Sequence, residues 1–593
     1  MATLPETPVD SALARLFSEE RAQGDATWFS LPGGSVLFEP GEPADHLYFV
    51  RAGRLGAFRR EDGQEPVFLG VIRPGEPAGE MALVAGAKHS AQVVALRDSE
   101  IFALPRAAFF DACEEDANVM IELARLMILR SRQAASRSAV GAPSVFGFIT
   151  ATDSLILRPM VDAIARAIGR LDYVVTVVGA EAMQAPTEWF SEVERTHDFV
   201  LYVAETVDHG WRQLVSRQVD RLFRVGRGDR KPPKAAGQSL SAPLQAQHLV
   251  DLILVHGPGK SPSGSDAWLD ALQPSRLFHV HRDDEAGVAR LARIVTGQSV
   301  GLVLSGGGAR AYAHVGAVRA LRERGVPIDF VCGVSMGAIV AAGVAMDWSD
   351  AELERRIREA FVDTSPLDDI ALPLLAMTRG MKVADRLAWH FGETQISDLP
   401  LPFFCVSSNL TTGNYHLHRR GVLRQALRAT ISLPGVLPPA TEGDNVLVDG
   451  AVLKNFPADI MRATQLGPVV GIDVTRGRSI TAADVARPDS VWRWIFSGQW
   501  RKGPPIVSLL IRAATVSSGR DLRTAREATD VLVTPDMTGV EIRDWSAFDP
   551  AVAAGYAAMN AALDKLDKPV MELRRRPNLE EAARLLLGGS VRS

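Results

Sequence analysis

Cysteine is scarce in this 593-residue chain: Cys113, Cys332 and Cys405 are its only three. Odd in number, scattered and without CxxC or Cys/His spacing, they argue against both a disulfide framework and a zinc site, and they fit a reducing compartment. Charge of one sign is lacking too, since 65 Lys and Arg stand against 70 Asp and Glu for a formal net charge of −5. That balance gives no reason to expect nucleic acid as a partner. Long apolar runs are also absent. The longest uncharged stretch, residues 330–346, is interrupted by Gly333, Ser335, Gly337 and Gly343 and falls short of the roughly 20 apolar residues of a spanning helix. The opening MATLPETPVDSALARLF has no basic segment ahead of an apolar one, so no secretory signal is expected and a cytoplasmic location is.

What is present is organised by region. Residues 27–104 read as short apolar runs (SVLF, HLYFV, GRLGAFR, PVFLGVI, AQVVAL, EIFAL) between Gly- and Pro-containing turns, the pattern of a small antiparallel β-barrel or jelly roll. Residues 109–132 follow as a helix with Val119, Leu123, Leu126 and Ile128 on one face, before the polar stretch SRQAASRSAVGAPS. Next, VFGFIT, YVVTVV, FVLYVA, LVDLILV and LFHVH alternate with helical segments at 154–170 and 211–223, which predicts a parallel sheet covered by helices. Residues 226–242, rich in Gly, Pro, Lys and Arg, read as a solvated loop. From Val300, GLVLSGGG is a strand and glycine turn, 311–324 a helix, and IDFVCGVSMGAIVAAGVAM a strand, tight turn and helix. Two successive βα units open an α/β core. The division expected is a multidomain chain: an N-terminal segment (1–26), the barrel with its helix (27–132), a linker (133–143), a middle α/β domain (144–297), a C-terminal α/β domain (298–570) and a tail (571–593).

The sharpest motif is Gly333-Val334-Ser335-Met336-Gly337. Glycines of GxSxG permit the strained strand-to-helix turn that exposes a serine hydroxyl, and a helix N-terminus beside it favours developing negative charge. Upstream, Ser305-Gly306-Gly307-Gly308-Ala309-Arg310 also joins a strand to a helix. Its glycines let backbone N–H groups converge on an anion, either a phosphate or a tetrahedral oxyanion. Gly306, Gly308 and Ala311 also fit the GxGxxG/A dinucleotide fingerprint, so an NAD-binding domain is an alternative of another class. No histidine follows His418. A triad in the order Ser, acid, His is therefore restricted to His390, His416 or His418, and the late acid of Val446-Leu447-Val448-Asp449-Gly450 cannot belong to one. Asp449 can instead be half of a Ser/Asp dyad, although an isolated Asp-Gly pair is ordinarily a turn; Asp473 in VVGIDVT is the competing strand-end carboxylate.

Taken in order, GLVLSGGGARAYAHVG, GVSMG, SLPGVLPP and LVDGAVLKNFP resemble the patatin-like phospholipase family. With LARIVTGQSVGLVLSGGGAR and a preceding barrel that resembles a cyclic-nucleotide-binding domain, the chain is similar to the neuropathy target esterase subgroup. The resemblance implies a C-terminal patatin-like domain with a catalytic Ser335–Asp449 dyad, an oxyanion hole from Gly306, Gly307 and Gly308, and Arg310 supporting that loop. It implies hydrolysis of carboxyl esters of phospholipids or lysophospholipids through an acyl-enzyme, with no metal and no cofactor. The family often reads DGG at the acid, where this chain has Ala451 in the third place.

In the barrel, Gly79-Glu80-Met81-Ala82-Leu83 followed by Lys88-His89-Ser90-Ala91 resembles the phosphate-binding cassette of cyclic-nucleotide-binding domains. The resemblance makes Glu80, His89 and Ser90 candidate nucleotide contacts, but His89 stands where the family's arginine pairs with the cyclic phosphate. Imidazole lacks the bidentate, permanently charged guanidinium contact, so weak or lost nucleotide binding is expected, and a lone His89 reads as a surface histidine. Gly257-Pro258-Gly259-Lys260-Ser261 lacks the Walker A glycine, having Leu254 there, and Pro262 follows it; a surface loop is expected. Trp492, Trp494, Ile495, Phe496 and Trp500 among Arg493, Arg501 and Lys502 suit either a peripheral membrane anchor or core packing. Residues 361–391 are expected to cover the site, and Leu573-Arg574-Arg575-Arg576 to be a solvated charge cluster. The runner-up is a catalytically silent, cyclic-nucleotide-responsive scaffold.

Overall fold

The computed structural model describes residue 16 and residues 27–59, 67–136, 143–152, 155–205, 209–234, 250–364, 369, 371, 376–475, 519–542 and 544–578. The first eight strands are β1 (Thr27–Leu31), β2 (Val36–Phe38), β3 (His46–Ala52), β4 (Leu55–Arg59), β5 (Val67–Ile72), β6 (Pro77–Ala78), β7 (Gln92–Ala95) and β8 (Ser99–Pro105). They form two four-stranded antiparallel sheets, β1-β8-β3-β6 and β2-β7-β4-β5, as expected of a jelly roll. Alternation along each strand sends Phe38, Val50, Leu55, Val93 and Ile101 into the shared core. The single helix expected over 109–132 is two, Arg106–Glu115 and Ala117–Ser136. Asp116 adopts an extended conformation between them and accepts the Asn118 N–H at 3.0 Å, which starts the second helix.

The middle region is an all-parallel sheet of β9 (Val145–Thr150), β10 (Val175–Val178), β11 (Phe199–Ala204), β12 (Arg221–Arg227), β13 (Val250–His256) and β14 (Arg276–His281), in the order β10-β11-β9-β12-β13-β14. One expectation fails here. The helix read over 211–223 stops at Gln218, and RLFRVGR is an interior strand between β9 and β13. Its Leu222, Phe223 and Val225 are fully buried, while Arg221 turns to Asp251 with Nε 2.6 Å from Oδ2; the arginines hid a core strand.

Two buried arginines dock the barrel on this sheet. Arg54 pairs with Asp220 and donates to Ser144 Oγ at 2.8 Å, and Arg97 pairs with Glu194 at 2.6 Å. Buried charges are costly unless paired and hydrogen-bonded, and Asp220 also accepts the Ser144 and Val145 N–H groups at 2.9 and 3.0 Å. The tail run expected to be solvated is instead packed. Arg574 pairs with Asp530 at 2.7 Å, the Tyr173 hydroxyl donates to Arg576 O at 2.7 Å, and the Arg576 guanidinium lies over Phe199.

The C-terminal sheet contains β15 (Gly301–Leu304), β16 (Phe330–Val334), β17 (Phe403–Asn409), β18 (Asn414–His418), β19 (Ala440–Glu442), β20 (Asn445–Asp449), β21 (Val469–Ile472) and β22 (Val531–Val533), ordered β19-β20-β17-β16-β15-β21-β22 with β18 also on β17. One continuous core joins it to the middle sheet, with Phe278 and Val280 from one and Val303, Phe330 and Val334 from the other. Among the described residues no helix is long and apolar enough to cross a membrane.

Registers on β17 position the site. β18 pairs with residues 405–409 of β17, so it occupies the edge opposite β16, which faces 403–406, and opposite β20, which faces 407–409. β16 and β20 therefore share one edge and meet end to end. Val334 lies opposite Val406 and Asp449 opposite Ser407, which brings the residue after Val334 against Asp449.

Candidate active site

That residue is Ser335, at φ 54° and ψ −132°, a strained conformation for a side chain with a Cβ. The glycines around it are required by close contacts. A Cβ on Gly333 would meet Gly337 O at 2.5 Å, and one on Gly337 would meet Ser305 O at 2.3 Å. The helix Met336–Ala345 that follows is buried along its whole length, so the turn has little freedom to relax. Ser335 N donates to Thr430 Oγ1 at 3.0 Å, and that hydroxyl donates to Val406 O, tying the elbow back to β17.

The Ser335 hydroxyl donates to Asp449 Oδ2 at 2.6 Å. The other carboxylate oxygen accepts the Ala451 N–H at 2.8 Å, and Asp449 N donates to Ser432 O at 2.9 Å. Asp449 is 2% exposed. Its desolvation pushes the pKa up to about 6 against the opposing pull of the Ser335 hydroxyl and the Ala451 N–H. The Asp-Gly pair is not a free turn, because a Cβ on Gly450 would lie 2.2 Å from Val406 O. Ala451 acts through its backbone N–H, which explains why alanine is accommodated there.

The glycine loop lies against this pair. A Cβ on Gly306 would be 3.1 Å from Ser335 Cβ, and on Gly307 2.4 Å from Val474 Cγ2. Gly308 has φ +56°, and a Cβ there would meet Ile542 O at 2.3 Å. Ala309 N donates to the same Ile542 O at 2.8 Å, and Arg310 Nε to Val540 O at 2.8 Å, so Arg310 ties the loop to the 540–542 segment. Two residues given no role by the sequence reading support it. Asn455 Nδ2 lies 3.3 Å from Gly306 O. Buried His314, held neutral by burial with its pKa lowered to about 4, bonds Ser305 O through Nε2 at 2.8 Å. Asn455 was visible only as part of LVDGAVLKNFP, and His314 only as part of the helix.

The competing candidates are engaged elsewhere. Asp473 accepts from Thr475 N at 2.9 Å and from Arg526 Nε at 3.1 Å. His418 Nε2 shares a hydrogen bond with Ser407 Oγ at 2.8 Å, and His416 faces Glu442 at 3.2 Å. In GPGKS, Lys260 O is bonded to His281 Nε2 at 2.8 Å and no helix begins until Asp266, as a loop requires. In the barrel, Glu80 is buried and Ser90 exposed. His89 is not a surface histidine: its ring is buried and stacked on Phe38, with centroids 3.7 Å apart at 12°, and burial lowers its pKa. A flat imidazole fits that stack, and it offers no permanent charge to a cyclic phosphate. The tryptophan-rich segment 492–500 lies outside the described residues. Of residues 361–391, those described include the helix Met381–Phe391, whose Met381 and Trp389 are 61% and 73% exposed.

Comparison with known proteins matches residues 302–462 to the patatin-like phospholipase model and residues 28–116 to the cyclic nucleotide-binding domain model. An uncharacterized NTE family protein of Mycobacterium tuberculosis is 34% identical over 554 residues, covering 90% of this chain and 91% of its own. Patatin-like phospholipase domain-containing protein 7 of Rattus norvegicus is 26% identical over 91% of this chain and 45% of its own length. Lysophospholipase nte1 of Neosartorya fischeri is 24% identical over 91% of this chain and 42% of its own. The alignment runs through barrel, middle sheet and catalytic sheet together, and on that likeness the chain belongs to the NTE family, a lipid hydrolase with a patatin-like phospholipase domain behind a cyclic nucleotide-binding domain.

Proposed function

We propose that the chain hydrolyses carboxyl esters of lysophospholipids or phospholipids through a Ser335–Asp449 dyad. The observation that carries this reading is the 2.6 Å hydrogen bond between a strained serine and a buried carboxylate. Asp449 takes the hydroxyl proton as Ser335 Oγ attacks the ester carbonyl. N–H groups of Gly307 and Gly308, with Gly306 in the same loop, stabilise the oxyanion. Collapse returns the proton to the leaving alcohol and leaves an acyl-serine, which water hydrolyses with Asp449 again as base. Desolvation suits Asp449 to proton abstraction, because a pKa near 6 makes it more basic than an ordinary carboxylate yet leaves it ionised at neutral pH.

Substrate in micelles or bilayers needs an apolar approach. Residues 376–378 bridge the helix Met381–Phe391 to the site, since Met377 N and Thr378 N donate to Gly435 O and Val436 O at 3.0 and 3.2 Å. The stretch 432–436 that accepts these bonds also supplies Ser432 O to Asp449 N. Outward-facing Met381 and Trp389 on that helix support peripheral contact with lipid.

Replacing Ser335 with Ala is expected to abolish fluorophosphonate labelling at that residue and to lower lysophospholipid hydrolysis by on the order of 10³-fold or more, and Asp449→Asn to lower hydrolysis comparably. Folded wild type that neither labels nor turns over would favour the silent scaffold. Trp389→Ala should reduce turnover of micellar lysophospholipid while sparing a soluble short-chain ester; equal losses on both substrates refute the lipid-contact role.

Burial of Asp449 also links stability to pH. Its pKa rises on folding from 3.8 to about 6, so the folded state binds this proton more tightly than the unfolded one. The resulting stabilisation is complete below the unfolded value and is lost as pH rises through about 6. Asp449→Asn removes this dependence. Its stability relative to wild type should therefore grow by roughly 2–3 kcal/mol between pH 4 and pH 8, read by urea unfolding. A difference that stays constant across that range contradicts the buried, raised carboxylate.

A further inference from the structure

We infer a divalent-cation site of the zinc type formed by His416, His418 and Glu442, on the strands that flank the Asp449 strand pair. The two histidines stand at i and i+2 on β18 and share a face, with ring centroids 4.6 Å apart. Across the sheet, Glu442 Oε2 on β19 lies 3.2 Å from His416 Nε2 and 3.9 Å from His418 Nδ1, and one donor atom from each of the three residues lies within 4.8 Å of the other two. Zinc with bonds of about 2.0–2.1 Å in tetrahedral geometry sets its donor atoms roughly 3.3 Å apart. Small side-chain rotations therefore close the set. Two imidazole nitrogens and a carboxylate oxygen, with a fourth position open, match the donor preference of zinc-type ions.

Orientation of the buried histidine separates this reading from a simple His416–Glu442 ion pair. His418 is 5% exposed, and its Nε2 is held by Ser407 Oγ at 2.8 Å. When Nε2 carries the proton and donates to that hydroxyl, Nδ1 is left with its lone pair on the Glu442 side. Metal-bound histidines are commonly fixed in this way through their other nitrogen. An ion pair with His416 makes no use of that arrangement. Glu442 is exposed and gives the ion a path from solvent.

Placement indicates a clamp. β18 lies on the outer edge of β17, and β19 lies beyond β20, so an ion held by both strands spans the pair that carries Ser407 and Asp449. No catalytic step passes through the ion.

Untagged full-length protein, stripped with EDTA, would be titrated with ZnCl2 by calorimetry and with Co²⁺ by visible absorption. One equivalent of zinc, tetrahedral Co²⁺ bands and a melting temperature higher by several degrees are expected for wild type. His416→Ala and Glu442→Gln should each weaken zinc at least tenfold and remove the Co²⁺ bands, while hydrolysis in EDTA stays within twofold of wild type. Glu442→Gln alters an exposed side chain and keeps the test valid if His416→Ala fails to fold. Absence of stoichiometric binding overturns the proposal. So does binding that survives both variants and is lost instead in His281→Ala, at the separate His256–His279–His281 group.

Discussion

β16 and β20 run in opposite directions, share one edge of β17 and stop one residue apart; the catalytic half of the molecule is arranged around that meeting. A parallel strand delivers its C-terminal residue, an antiparallel one its own, and the two side chains face each other across the junction. Gly333, Gly337 and Gly450 allow the backbones to approach closely enough, because a Cβ on any of them would meet a backbone atom within about 2.5 Å. Thr430 then links the serine elbow to the same strand.

Desolvation is the second consequence of that packing. The junction lies over a core continuous with the middle sheet, so Asp449 exchanges water for one hydroxyl and one N–H. An unpaired carboxylate in that position would be prohibitive, whereas two donors hold it ionisable near neutrality. Elsewhere the molecule buries charge differently: Asp220, Asp251 and Asp473 each face arginine, with structural roles. Among these carboxylates, the one without a cationic partner in its hydrogen-bond set is the one bonded to the serine.

The sequence showed these features unequally. GxSxG in a strand-turn-helix context and a glycine loop one βα unit earlier were legible because their chemistry is local, and fold class followed from alternating apolar runs. Choice of Asp449 over Asp473 was not local. Both follow apolar strands, and family resemblance favoured Asp449 where the structure shows Asp473 committed to Arg526. β12 was missed because arginines at 221, 224 and 227 break its apolar run, and one of them meets Asp251 on a neighbouring strand. The same long-range pairing makes Arg574 and Arg576 part of the fold where a charge run suggested solvent. His89 was misread for the converse reason: its Phe38 partner lies fifty-one residues away in sequence. The convergence of His416 and His418 with Glu442 had no spacing signature, since β18 and β19 come together only through the β17–β20 arrangement.

The most direct test of the dyad is the pH profile of kcat/KM for a soluble ester, taken with wild type and with Asp449→Asn. If Asp449 is the base, wild-type kcat/KM falls about tenfold per pH unit below a midpoint near 6 and is level above it, while residual activity in the variant lacks that limb. A profile flat through pH 6, or one that Asp449→Asn leaves unchanged in shape, would contradict the account.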